Sequence, residues 1–243
     1  MNKVFSALII LAFGMLTACN SYQRELSYDN PDAEIIFLHH STGYNVWKGD
    51  NHSEGKLSFR TSSFMVPGVL SVYNEENNKK YAIHELAFPS GESYPWENYP
   101  YDYYNIWIKN ENSNEYSGEP RLDELTGKYD LIIFKHCYPG SNIQEDGDSA
   151  DINSSVKTLA NYKLQYNALK EKMHQYPDTK FMVWTLAAQV ESQITREEAL
   201  RASEFVHWVR ETWDEEGDNI EIFDFYVGIY NCLASEDASC SSL

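Results

Sequence analysis

At 243 residues the chain is long enough for one α/β domain with a full hydrophobic core. Its 37 acidic residues against 19 basic ones leave a formal charge of −18, spread along the sequence and not gathered in a tail. That balance argues against nucleic acid and against an anionic lipid surface as partners, and its commonest use is solubility.

The N-terminus reads as a targeting segment and is set apart from the fold. Lys3 supplies a positive start, and residues 4–15 form an apolar stretch too short for a usual membrane span. Leu16-Thr17-Ala18-Cys19 resembles a bacterial lipobox, Leu-x-[Ala/Gly]-Cys. The resemblance implies a signal peptide over 1–18, cleavage before Cys19 and acyl chains on that residue. The protein would then sit at the cell envelope, periplasmic or surface-exposed, touching the membrane through its lipid alone. An ordinary secretory signal with a chance cysteine is the plainer alternative. Residues 19–32 are polar and read as a tether, which leaves 33–243 for the domain. An exported chain permits disulfides, and Cys232 and Cys240 are close enough in sequence to close a small loop. Cys137 follows an apolar strand and is expected as a buried free thiol.

The first element of the domain carries the most information. Ile35–Leu38 is a β-branched, apolar run that stops on His39-His40-Ser41-Thr42-Gly43. In open parallel sheets ligands sit beyond the carboxyl ends of the strands, so Ser41 would lie on the floor of such a cleft. A turn that merely ends a strand has the same composition. Strands are expected at 34–40, 80–86, 129–137, 179–186 and 219–225. A helix fits 66–77, started by Pro67. Leu159, Tyr162, Tyr166, Leu169, Met173 and Tyr176 recur at steps of three and four, as one face of a long helix does. Thr195 and Glu198 make a capping box ahead of a stripe of Ala202, Val206, Val209 and Trp213. Strands alternating with helices imply a three-layer α/β/α fold around a parallel sheet of about five strands. Residues 88–120 are one long insertion rich in Tyr, Trp, Pro and Asn, and loops of that length are uncommon unless functional.

The strand ends converge on acyl-transfer chemistry. Ser41 follows the first strand, Phe88-Pro89-Ser90-Gly91-Glu92 the second, and Lys135-His136-Cys137-Tyr138-Pro139-Gly140-Ser141-Asn142 the third. A serine can attack a carbonyl, while backbone N–H groups and an asparagine amide stabilise the oxyanion. This order resembles the SGNH (GDSL-type) hydrolases. The opening Phe-Leu-His-His-Ser-Thr-Gly and the segment Lys-His-Cys-Tyr-Pro-Gly-Ser-Asn resemble a bacterial branch of them. The likeness covers 33–228, with Tyr176-Pro177-Asp178 and Asp224-Phe225-Tyr226 also in keeping. It implies a flavodoxin-like fold and an esterase or deacetylase, often acting on acylated glycans and needing no cofactor or metal. Ser41 maps onto the nucleophile, and Gly91 and Asn142 onto the oxyanion positions. The spacing around Asn142 departs from the family's Gly-x-Asn-Asp, which makes Ser141 a competitor.

The family places an Asp-x-x-His after its fifth strand, and this chain has no histidine after His207. Either that segment is truncated or altered, or the base comes from elsewhere, with His40 and His136 the nearest alternatives in sequence. Without a base the chain would be a weak esterase at best. His39 and His40 alternate across the sheet, so one faces each side. A zinc site from His39 or His40 with His84, Glu85 and His136 has suitable residue types but no standard spacing. In the insertion, Trp96, Tyr99, Tyr101, Tyr103, Tyr104 and Trp107 offer stacking faces for sugar rings, or else a satellite core under a loop. Two classes of function follow. One is a lipid-anchored serine esterase acting on an acylated glycan or other small ester. The other is a non-catalytic or vestigial glycan-binding lipoprotein.

Overall fold

A computed structural model describes residues 24–49, 64–91, 94–95 and 97–227. The lipobox with Cys19, the Cys232 and Cys240 pair, and Trp96 lie outside the described residues. Five strands, β1 (Ala33–His39), β2 (Tyr81–Ala87), β3 (Leu131–Phe134), β4 (Lys180–Trp184) and β5 (Ile220–Phe223), form one sheet. Every pairing is parallel and the order is β2-β1-β3-β4-β5, the flavodoxin-like arrangement. The chain runs one way from β1 to β2 and the other way from β1 to β3, so the switch point lies between β1 and β3.

Strand parity divides the side chains between two helical layers. Ile36 is registered with Ile132, Leu38 with Phe134, and Phe134 with Val183. This face packs against α3 (Pro100–Tyr104), α5 (Leu159–Met173) and α6 (Arg196–Trp208). Phe37 and Ile133 face the other way, into a smaller core with Leu26, Ile83 and Trp47. Trp47 belongs to α1 (Thr42–Lys48), which packs on α2 (Met65–Asn77). A short α4 (Leu122–Thr126) precedes β3.

The helices follow their sequence signals closely. Thr158 accepts a hydrogen bond from the Asn161 N–H at the start of α5. Thr195 and Glu198 cap α6 reciprocally. The apolar stripes of α5 and α6 are buried, although α5 stops at Met173 and Tyr176 lies beyond it. α3 and α6 each run on into a π-helical turn, Asn105–Lys109 and Val209–Trp213. The tether expected over 19–32 is shortened at its C-terminal end. Leu26 is buried and exchanges both backbone hydrogen bonds with Ile83, at 3.0 and 2.8 Å, so the chain docks beside β2 before β1 begins. Among the described residues no helix is long and apolar enough to cross a membrane.

Candidate active site

The carboxyl end of β1 turns into α1 within His40 and Ser41 alone. Ser41 takes φ +44° and ψ −105°, a backbone region that L residues avoid. Strand, sharp turn and helix with a strained serine at the apex is the local build that exposes a nucleophile above a sheet. Ser41 occupies the N-cap position, yet its hydroxyl makes no capping hydrogen bond and the residue is exposed. The turn is held by backbone instead, the Ser41 carbonyl accepting from the N–H of Tyr44 at 2.9 Å and of Asn45 at 3.2 Å. Gly43 is required by close approach, because a Cβ there would stand 2.4 Å from the His39 Cβ.

Ser41 lines a cavity of about 620 Å³ with Arg24, His39, His40, Tyr44 and Glu85. The register that pairs Phe37 with Glu85 puts Glu85 on the same face as His39. The buried His39 Nε2 lies 3.0 Å from Glu85 Oε2, and Arg24 donates to Glu85 Oε1 at 2.9 Å. Burial pushes the Glu85 carboxyl up, but the hydrogen bonds from His39 and Arg24 outweigh it and hold Glu85 below the usual range. An ionised carboxylate only accepts, so Nε2 carries a proton, and in the neutral imidazole the lone pair then falls on Nδ1. That Nδ1 is buried with no hydrogen-bond partner. His40, half-buried, donates from Nε2 to the Pro89 carbonyl, and burial lowers its pKa, which leaves it neutral near pH 7.

The loop after β2 is drawn alongside. The Phe88 N–H donates to the His39 carbonyl at 3.2 Å. Buried Glu119 accepts from the Ser90 N–H at 2.7 Å and from Ser90 Oγ at 2.6 Å. Gly91 follows at φ +82°, a conformation open to glycine. Ser41, His40 and the Gly91 loop are thus brought to one rim.

Asn142 is not. It lines a separate cavity of about 520 Å³ with Tyr99, Gln144 and Lys157. Its Nδ2 donates to the Gln193 carbonyl at 3.3 Å, and its Oδ1 accepts from Gln189 at 2.9 Å. Lining a different cavity, with one amide N–H on Gln193, it does not face Ser41. Nor does Ser141, whose Oγ donates to the Ala187 carbonyl at 2.5 Å. His136 fails as the alternative base. It is buried, its Nε2 lies 2.7 Å from the Tyr166 hydroxyl, and burial with nearby Lys135 drives its pKa down to about 3. Tyr99, Tyr103 and Trp107 do not offer sugar-stacking faces, being only 4 %, 0 % and 1 % exposed. Tyr103 and Trp107 pack on Phe88 and Phe134, and the Lys157 ammonium covers the Tyr99 ring. The satellite-core alternative describes them.

Sequence reading grouped His39 with Glu85 only as possible zinc ligands, not as a hydrogen-bonded pair, and it missed the contact of Lys135 with Thr42. Glu85 carried a parity signal, a charged side chain on the Phe37–His39 face of the sheet, whereas Lys135 stands one residue beyond the end of β3. Cys137 is a buried free thiol. Among the described residues no three His, Cys, Asp or Glu side chains are grouped to hold a metal. The chain matches no family model, no curated protein and no solved structure.

Proposed function

We propose that the protein is a serine-dependent ester hydrolase, of the esterase or carbohydrate O-deacetylase type, held at the bacterial cell envelope by lipid on Cys19. The observation that carries this reading is the strained, exposed Ser41 at the carboxyl end of β1, in one cavity with a carboxylate-held imidazole. Ser41 Oγ would attack the acyl carbonyl. Its proton would pass to His39 Nδ1, with Glu85 stabilising the imidazolium through Nε2 and Arg24 holding Glu85 in place. Water would then hydrolyse the acyl-enzyme by the reverse proton path. The likeness of the strand-end motifs to the SGNH hydrolases supports the same reading. It alone favours an acylated glycan over another small ester, because the buried aromatics of the insertion give no support to a sugar.

Among the described residues the Ser41 hydroxyl has no hydrogen-bonded base, which favours the second, non-catalytic class. Catalytic hydrogen bonds, however, often close only on a bound substrate. Turnover of p-nitrophenyl acetate decides between them. Activity should fall by about 10³ or more in Ser41→Ala, and by about 10²–10⁴ in His39→Gln, with folding kept. Activity that survives Ser41→Ala would end the serine mechanism. Activity lost in His40→Gln but kept in His39→Gln would move the base to His40. The anchor is tested separately: Cys19→Ala should leave the membrane fraction or stay unprocessed, and fractionation like the parent's would refute it.

A further inference from the structure

Lys135 is 0 % exposed, at the carboxyl end of β3 and directly across the switch point from Ser41. Its Nζ donates to Thr42 Oγ1 at 2.6 Å and to the His136 carbonyl at 2.8 Å. Among the described residues no carboxylate lies within ion-pair distance of it. Its other neighbours are the Phe225 ring, 5.8 Å from Nζ, and the buried Cys137 thiol, with the imidazoles of His136 and His40 close enough to feel its charge. A buried ammonium without a counter-charge is costly, and an apolar side chain of the same shape fills such a site more favourably. Stability therefore gives no reason for a lysine here.

The direction of the hydrogen bond supplies one. An ammonium has donors only, so Thr42 Oγ1 accepts and its own O–H must donate elsewhere. Thr42 is half-buried, adjoins Ser41, and opens α1. A hydroxyl that accepts from a cation in a dry setting is a stronger donor in its turn. The Ser41 site needs such a donor, because the Asn142 amide is committed in another cavity. We propose that Thr42, polarised by Lys135, is the side-chain oxyanion donor of the Ser41 site; this rests on the hydrolase reading above. As the Ser41 Oγ–carbon bond forms, the carbonyl π pair moves onto oxygen and meets the Thr42 O–H, which keeps its proton. The Ser41 proton passes to the base and then to the departing alcohol when the tetrahedral centre collapses. Thr42 would be a catalytic residue and Lys135 a positioning residue acting through it.

Burial lowers the Lys135 pKa to about 8, so the charge behind Thr42 is lost just above neutral pH. The test is the rate at which p-nitrophenyl acetate acetylates Ser41, followed by the p-nitrophenolate burst and by the mass of the Ser41 peptide. Thr42→Val and Lys135→Met should each slow acetylation by about 10²–10³, Thr42→Ser should retain it, and the double variant should be no slower than either single one. In the parent the rate should decline above about pH 8, and that limb should vanish in Thr42→Val. Lys135→Met should melt no lower than the parent. Acetylation at the parent rate in Thr42→Val, with the alkaline limb intact, would overturn the proposal. So would a Lys135→Met that melts lower beside a Thr42→Val of normal rate, because Lys135 would then be structural. A parent that never acetylates at Ser41 would remove the hydrolase reading itself, and this role with it.

Discussion

Ser41 and its neighbours show how a single residue stores strain where chemistry would use it. A positive φ with a Cβ costs on the order of 1–3 kcal/mol, and nothing in the side chain's own hydrogen bonding offsets it. Glycine at that position would relieve the strain, although it adds about 0.4–1 kcal/mol of unfolded-chain entropy to be lost. Ser41→Gly should therefore be more stable than Ser41→Ala by about 1 kcal/mol, with both inactive. Urea denaturation of the two variants measures this, and equal midpoints would mean that the turn is unstrained. Ser41 and Gly43 were legible in the sequence because strand, hydroxyl and glycine are contiguous. The His39–Glu85 pair was legible only as possible zinc ligands, because its hydrogen bond joins positions 46 apart that the β1–β2 register brings together. Asn142 misled for the converse reason. Its place after the third strand could be read, but its amide is held by Gln189 and Gln193, about 50 residues downstream.

At the level of elements, periodic segments were legible and aperiodic ones were not. α5 and α6 carry apolar stripes, α6 with the Thr195–Glu198 capping box as well, and both formed where those signals lie. The third strand is shorter than its apolar run, because the ladder stops at Phe134 while Lys135–Cys137 turn toward the cleft and α3. The insertion at 88–120 has no period to read, and five-residue α3 is held by tertiary contacts. Asp102 in α3 is one of them. Its Oδ1 accepts from the Tyr94 hydroxyl at 2.7 Å and its Oδ2 from the Tyr99 N–H at 3.0 Å. Burial nevertheless raises its pKa to about 7, those hydrogen bonds only partly opposing. A carboxyl whose folded pKa lies above its unfolded value destabilises the fold on ionising. Its effect is absent below pH 3.8, grows by on the order of 1.4 kcal/mol per pH unit up to about pH 7, and levels off there. Asp102→Asn should lose this slope: relative to the parent, its stability should rise steadily from pH 4 to pH 7. Parallel stability–pH curves for the two proteins would show that Asp102 ionises in the fold as freely as in the unfolded chain.

On the scale of the whole molecule, the five-stranded parallel sheet gathers the loops after β1, β2 and β3 at one edge, and the charge sets what approaches that edge. The formal charge of −18 is distributed along the chain, so the field around the fold is negative in most directions. The cavity itself does not reverse it, because Arg24 is paired with Glu85, and Glu25 stands beside them. A cationic ester is then drawn in and an anionic one held off, over distances that salt controls. The screening length falls from about 30 Å at 0.01 M salt to about 8 Å at 0.15 M, so the field reaches well beyond the cavity only in the dilute buffer. If Ser41 is the nucleophile, kcat/KM for a choline ester should fall several-fold over that range and kcat/KM for a hemisuccinate ester should rise. An uncharged acetate ester should change little, which separates this field effect from any action of salt on the fold. Were the ratio of cationic to anionic ester hydrolysis to stay constant with salt, the distributed charge would have no part in choosing the substrate. Selection would then fall to the contacts of Arg24, Tyr44 and His40 inside the cavity.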